Sequence, residues 1–558
     1  HDHPPAQQQP TPIFTTERAT RTGIRCCYAL TTVVDLVTTA IGEGLVVDEH
    51  GRYSRREVLQ LSGRAVGLAA AGALVAGCTS AVTQPPPAPV VDPVNLDPLK
   101  LTIDMVRFDT SHNGEGGVTV PHAEMLKSIW DAAGADTEII PTPKPDNAHF
   151  IARVPSAVGS ARPLLLLCHS DVVSVEADRW TVDPYRGEVG DGWIYGRGAL
   201  DMKGTNAAFM AALLRHLDEG ARFDRDIIFL SDCDEEAGPN GTRWLAERHY
   251  DKIDAGAVIT EGGWALALPG SVEPVVVTLT RQDKMSAALE LVAQGTTTHS
   301  SRPSPDAAIT RLNRAAVRLA DYQPGVGLTD VTRAYFEAWA SRTDNPKLTA
   351  ALRLMLNASG QAERDRAGAL VVQLSNHPTL HNALMRHIVT PVIQRAGYRV
   401  NIQPGSATAT LNLRLVPGGL DVATTLAQMR DALGASDGVT LRLVNPLSPD
   451  QPEEQVLDGL AQRMAQPPGS IDTDVFGALE AAARETYPDA AVTPGLFEAG
   501  TSTGPWRQRG IPVYGIYPYA TDDDTMARMH GNDERIRVDA LARGTQLMYR
   551  VFDRFRTI

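Results

Sequence analysis

Three short apolar runs along the chain each stop at an imidazole or carboxylate side chain. Residues 163–168 read Pro-Leu-Leu-Leu-Leu-Cys and end at His169-Ser170-Asp171. Residues 227–230 read Ile-Ile-Phe-Leu and are followed by Asp234-Glu235-Glu236, while Ala257-Val258-Ile259 runs into Glu261-Gly262-Gly263. Continuous apolar runs of this length bounded by polar turns predict strands buried on both faces. Asn206 to Leu217 instead carries its apolar residues at helical spacing. Strands alternating with helices predict an α/β fold around a mostly parallel sheet. Such sheets bind ligands beyond the carboxyl ends of their strands, where this chain places histidine and carboxylates.

Two further segments join this set. Asp201 lies between the loop Gly196-Arg197-Gly198-Ala199-Leu200 and Met202-Lys203-Gly204, and His530 stands in Met529-His530-Gly531-Asn532-Asp533-Glu534. Singly, each has an ordinary explanation: a core histidine, a solvated acidic loop, a helix cap. Together at strand ends they predict a metal site, since two histidines and three carboxylates suffice for two ions that share one bridge.

The N-terminal pattern predicts an address. Residues 54–60 read Ser-Arg-Arg-Glu-Val-Leu-Gln, a twin-arginine export pattern. The apolar and small run from Ala65 to Gly77 is shorter than the roughly 20 residues of a membrane-spanning helix and fits a signal core. Cys78 after Val75-Ala76-Gly77 predicts lipid attachment, with simple export or a retained anchor as the other readings. Gln84 to Pro89 then predicts a stiff tether. The expected location is exported, on the periplasmic or cell-surface side, and lipid-anchored. The expected organisation is 1–53 without an assigned role, as a mis-assigned start; 54–78 signal; 79–96 tether; 97–280 first catalytic part; 281–446 inserted domain; 447–558 second catalytic part.

At 558 residues the chain has room for more than one domain, and 43% hydrophobic against 21% charged residues is an ordinary globular balance. A net charge of −14 argues against nucleic acid as a partner. Five cysteines supply no disulfide framework, and Cys168 and Cys233 read as buried core thiols.

In order and spacing, His-Ser-Asp-Val-Val at 169–173, the Gly196–Gly204 loop, Asp-Glu-Glu at 234–236, Glu-Gly-Gly at 261–263 and Met-His-Gly at 529–531 resemble the di-zinc metallopeptidase family of aminoacylase, acetylornithine deacetylase, succinyl-diaminopimelate desuccinylase and glutamate carboxypeptidase. The surrounding sequence looks most similar to its Gly-X carboxypeptidases and N-acyl amino acid hydrolases. The resemblance covers roughly 97–558 and implies an α/β catalytic domain carrying an inserted α+β lid, which is also the dimerisation domain of a homodimer. It implies two zinc ions, or cobalt or manganese in their place. His169 and Glu261 would hold one, Glu236 and His530 the other, and Asp201 would bridge them. Asp171 would hold the second ring nitrogen of His169, and Glu235 would be the general base. His299, in Gly295-Thr296-Thr297-Thr298-His299-Ser300-Ser301-Arg302-Pro303, would polarise the oxyanion. Asn401 and Arg414 fall in segments resembling the family's carboxylate-binding region.

The implied activity is hydrolysis of an amide bond in peptides or N-acyl amino acids, freeing an amino acid. A dipeptidase of the same fold and a binding protein that has lost catalysis are the alternatives. One departure touches the substrate pocket. Where relatives carry Gly-Thr-Asp and then an arginine, this chain reads Gly500-Thr501-Ser502-Thr503-Gly504-Pro505-Trp506-Arg507.

Overall fold

A ten-stranded sheet forms the centre of the computed structural model, which describes residues 97–112, 117–159, 161–236, 238–434, 438–446 and 448–557. The export pattern, Cys78 and the tether lie outside the described residues. The middle of the sheet is parallel and runs Ile227–Asp232, Leu164–His169, Ala257–Thr260, Val513–Gly515. Strands Asp136–Pro141 and Ala148–Val154 extend one side antiparallel. The other side continues through Pro274–Asp283. The first two middle strands are buried at every position, their apolar runs giving way to Ser231-Asp232 and His169 only at the carboxyl ends. Truncating a fully buried residue such as Leu166 to alanine costs about 2–5 kcal/mol. Cys168 and Cys233 are free thiols in this interior.

The helix Gly204–Asp218 is buried over nearly its whole circumference. It is covered outside by Val538–Asp553 and Pro98–Val106. The Pro98–Val106 helix starts on a side-chain cap from Asp97 with proline at its first turn, where the missing N–H has no intrahelical partner to lose.

A second, four-stranded antiparallel sheet has the order Ile388–Ala396, Ser406–Leu415, Met285–Gln294, Val439–Val444. Its core is separate, built from residues such as Leu289, Leu291, Leu411 and Leu413 with helices Ala308–Asp321, Val422–Leu433 and Glu453–Met464. The span 281–446 does not feed this core alone. Helices Asp330–Arg342, Pro346–Asn357, Gln361–Leu374 and Pro378–Met385 bury Tyr335, Phe336, Trp339 and Leu352 in the core of the large sheet. The first of these helices packs on the strand Ala491–Phe497. Among the described residues no helix is long and apolar enough to cross a membrane.

Candidate metal centre

The carboxyl ends of the parallel strands converge. His169 is the last residue of its strand, with 2% of its side chain exposed. Its Nδ1 lies 2.9 Å from the main-chain carbonyl of Asp171. A carbonyl only accepts, so Nδ1 carries a hydrogen and Nε2 faces the cluster. Nε2 is 3.1 Å from Asp201 Oδ1 and 3.8 Å from Glu261 Oε2. Across the cluster, His530 Nε2 is 3.1 Å from Asp201 Oδ2 and 3.0 Å from Glu236 Oε1. Each oxygen of Asp201 therefore faces one histidine.

Two groups of three ligand atoms result, His169–Asp201–Glu261 and Asp201–Glu236–His530, each within 4.8 Å. The five residues expected as metal ligands are thus brought together. Among the described residues no lysine or arginine hydrogen-bonds to any of their carboxylates. Partial burial disfavours a charged His530 ring, yet hydrogen bonds to Asp201 and Glu236 and the charges on them raise its pKa to about 11. His169 is likewise raised, burial being outweighed by Asp201 and Glu261. Three carboxylates with no lysine or arginine on them leave the cluster short of positive charge, and its nitrogen and oxygen donors fit two divalent cations.

Asp171 departs from expectation. Its carboxylate is 3.7 Å from His169 Nδ1, beyond a hydrogen bond, and accepts instead from the backbone N–H groups of Glu235 and Glu236 at 3.1 and 2.9 Å. The ring is held by the carbonyl of Asp171, and its side chain holds the turn that presents both glutamates. Glu235 lines a cavity of about 690 Å³ with Thr242, Arg243, Thr501 and Ser502. Burial and then the charge of Glu261 push its pKa well above the ordinary carboxylate range. The turn after Glu261 explains its two glycines. Gly262 has φ +134°, and a Cβ on Gly263 would lie 2.1 Å from the Thr278 carbonyl oxygen.

Arg414 stands near the end of the small-sheet strand Ser406–Leu415. Its Nε donates to Asn412 Oδ1 at 3.0 Å, and burial lowers its pKa while the charge of Glu235 opposes that shift. His299 and Asn401 are exposed and sit together on a two-stranded ribbon, with Ser300 N donating to the Asn401 carbonyl. His299 Nδ1 contacts the Ser301 hydroxyl at 2.8 Å. Among the described residues neither bonds to the histidine–carboxylate cluster.

Three features were not singled out from the sequence. Glu534 is fully buried, pairs with Arg197 Nη1 at 2.6 Å, and accepts from the N–H groups of Gly198, Leu200 and Asp201. It thereby shapes the loop that delivers Asp201, and it stood in the same motif as His530. Tyr517, two residues past the strand Val513–Gly515, donates its hydroxyl to Glu261 Oε2 at 2.5 Å; a fourth strand end with a polar side chain was its signal. The Ser502 loop is bound by an aspartate after all. Thr501 and Thr503 donate to Asp283 Oδ2, and Arg507 donates to Asp283 Oδ1 at 3.0 Å. That carboxylate comes from a different strand.

The sequence pattern of Peptidase family M20/M25/M40 matches residues 165–554. A probable carboxypeptidase S-like 2 of Dictyostelium discoideum is 27% identical over 388 residues, covering 68% of this chain and 69% of that protein. The N-fatty-acyl-amino acid synthase/hydrolase PM20D1 of Homo sapiens is 24% identical over 388 residues, covering 68% and 72%. Among solved structures, the M20 family metallo-carboxypeptidase Sso-CP2 of Sulfolobus solfataricus aligns over 82% of this chain and 99% of its own, with a TM-score of 0.58 and 18% identity. Human carnosine dipeptidase 1 aligns over 82% and 95%, with a TM-score of 0.57 and 16% identity. At those identities the structural likeness speaks for the fold.

Proposed function

Because the chain belongs to peptidase family M20/M25/M40 and is a metal-dependent hydrolase, we propose that it cleaves the amide bond of peptides or N-acyl amino acids that bear a free carboxylate, releasing an amino acid. The observation that carries this reading is Asp201, with one oxygen on His169 and the other on His530. Two ions held there would act as Lewis acids toward the scissile carbonyl and a bound water. Zinc suits the imidazole and carboxylate donors best, with cobalt or manganese as substitutes.

The chain's own residues supply the rest. Glu235, on a turn pinned by Asp171, is placed to take a proton from the attacking water and deliver it to the leaving nitrogen as the C–N bond breaks. Arg414 provides a planar guanidinium for the substrate carboxylate, its being within electrostatic range of Glu235 supporting that use. His299 and Asn401 lie on the exposed ribbon, where a role at the cluster requires the ribbon and the cluster to approach, in one subunit or between two.

Free amino acid release is the assay, run on N-acyl amino acids and dipeptides before and after chelation and zinc restoration. Activity on N-acyl amino acids or carboxypeptidase substrates that chelation removes and zinc returns is expected. Preference for dipeptides selects the dipeptidase reading. Insensitivity to chelation, or no turnover with zinc restored, sinks the hydrolase mechanism described. Export and lipid attachment at Cys78 are supported by the Ser54–Gln60 and Val75–Cys78 patterns; mass spectrometry of the mature N-terminus tests them, an unmodified Cys78 being the contrary result.

A further inference from the structure

Tyr517 is fully buried beside the cluster and does not enter the chemistry above. Its backbone is stitched across the turn that carries Glu261. Ile516 N donates to the Thr260 carbonyl at 2.9 Å, and Tyr517 N donates to the carbonyl of Gly263. Its ring stacks on Trp264 with centroids 4.4 Å apart and planes 18° apart. Trp264 is fixed in turn, its Nε1 donating to Glu498 Oε1 and its backbone N to Thr278 Oγ1, both at 2.8 Å.

This packing leaves the phenol one orientation, with the hydroxyl 2.5 Å from Glu261 Oε2 and 3.4 Å from Asp201 Oδ1. The phenol's single hydrogen is donated to Glu261, which fixes that carboxylate's rotamer, and the hydroxyl dipole set between the two carboxylates offsets their mutual repulsion without consuming their charge. Among the described residues the other half of the cluster has no such donor: the hydrogen-bond partner of the Glu236 carboxylate is His530, whose side chain is 47% exposed.

We propose that Tyr517 is a positioning residue that makes the two cation positions unequal, so that the His169–Asp201–Glu261 half binds its ion more tightly than the Asp201–Glu236–His530 half. The phenol acts by holding Glu261 in place against the shared Asp201 before an ion arrives. This rests on the two-cation reading of the cluster.

The test is stepwise removal of zinc from the full-length protein by a competing chelator, comparing wild type with Tyr517→Phe. Wild type releases two equivalents in two steps. In Tyr517→Phe the tighter step weakens by about 10- to 100-fold, the range for outer partners of metal ligands, while the weaker step stays within about threefold. At saturating zinc kcat falls and KM is unchanged. The ring and its stack on Trp264 survive this substitution, so the unfolding temperature of the zinc-free variant should match wild type. Tyr519→Phe is the control. That hydroxyl bonds to the Leu200 carbonyl and Thr205 rather than to a ligand carboxylate, and both steps should persist. Unchanged steps in Tyr517→Phe, or equal weakening of both, overturns the inference. A wild type that binds fewer than two ions overturns the two-cation reading itself.

Discussion

His169 and His530 each approach Asp201 to 3.1 Å, yet one side chain is 2% exposed and the other 47%. His169 and Glu261 stand at the ends of paired strands, where the sheet fixes the backbone on both sides. His530 stands in a loop, at φ +60°. For a residue with a side chain that conformation costs on the order of 1–3 kcal/mol and persists where its surroundings impose it. Here Arg197 donates to the His530 carbonyl at 3.3 Å, and Arg197 is itself locked to Glu534. The dry half is built by the sheet. The open half is held by side chains reaching across from another part of the chain, and it is the half whose histidine faces solvent.

The comparison breaks most completely at the shared residue. Asp201→Ala removes one donor from each half, so metal analysis should show fewer than two bound ions and the amino acid release assay should fall to background. Two tightly bound ions in this variant would show that Asp201 is not the bridge. Glu235→Ala leaves both halves intact and removes the base beside them. Expected is a loss of kcat of about 10²- to 10⁴-fold with two ions retained; turnover near wild type would reassign the base. Glu534→Gln sharpens the contrast by releasing the clamp on the loops of Asp201 and His530. It strands the buried Arg197 charge, so unfolding by denaturant should show a loss of about 3–5 kcal/mol, with the His530-side ion lost first. Unaltered stability would mean that the pair is not the clamp it resembles.

Much of the cluster was legible because parallel sheets place chemistry at strand ends. His169, Glu235, Glu236 and Glu261 follow apolar runs within a few residues, so their convergence could be inferred from one dimension. His530 was placed through its resemblance to a known motif. Residues that act through partners far along the chain were not legible. Tyr517 reaches Glu261 across 256 positions, Glu534 reaches Asp201 across 333, and Arg507 reaches Asp283 across 224. A strand-end position hinted that Tyr517 faces the site, but nothing local names its partner, and nothing local marks Arg507 as one half of a pair. The inserted span shows the same limit. An inserted α+β domain was expected there, but which of its helices join the large sheet's core rather than the small sheet's core depends on which faces meet.

Apolar periodicity and strand-end polarity by themselves determined an α/β frame with histidine and carboxylates at one edge, because burial on both faces leaves no other pattern for a central strand. Tertiary structure alone decided how those groups divide into a buried half and an open one. It assigned the carbonyl of Asp171 to His169 and the carboxylate of Asp171 to the glutamate turn, and it set a phenol against Glu261. Hydrogen bonds are directional and short, and which donor meets which acceptor is fixed only when distant segments pack.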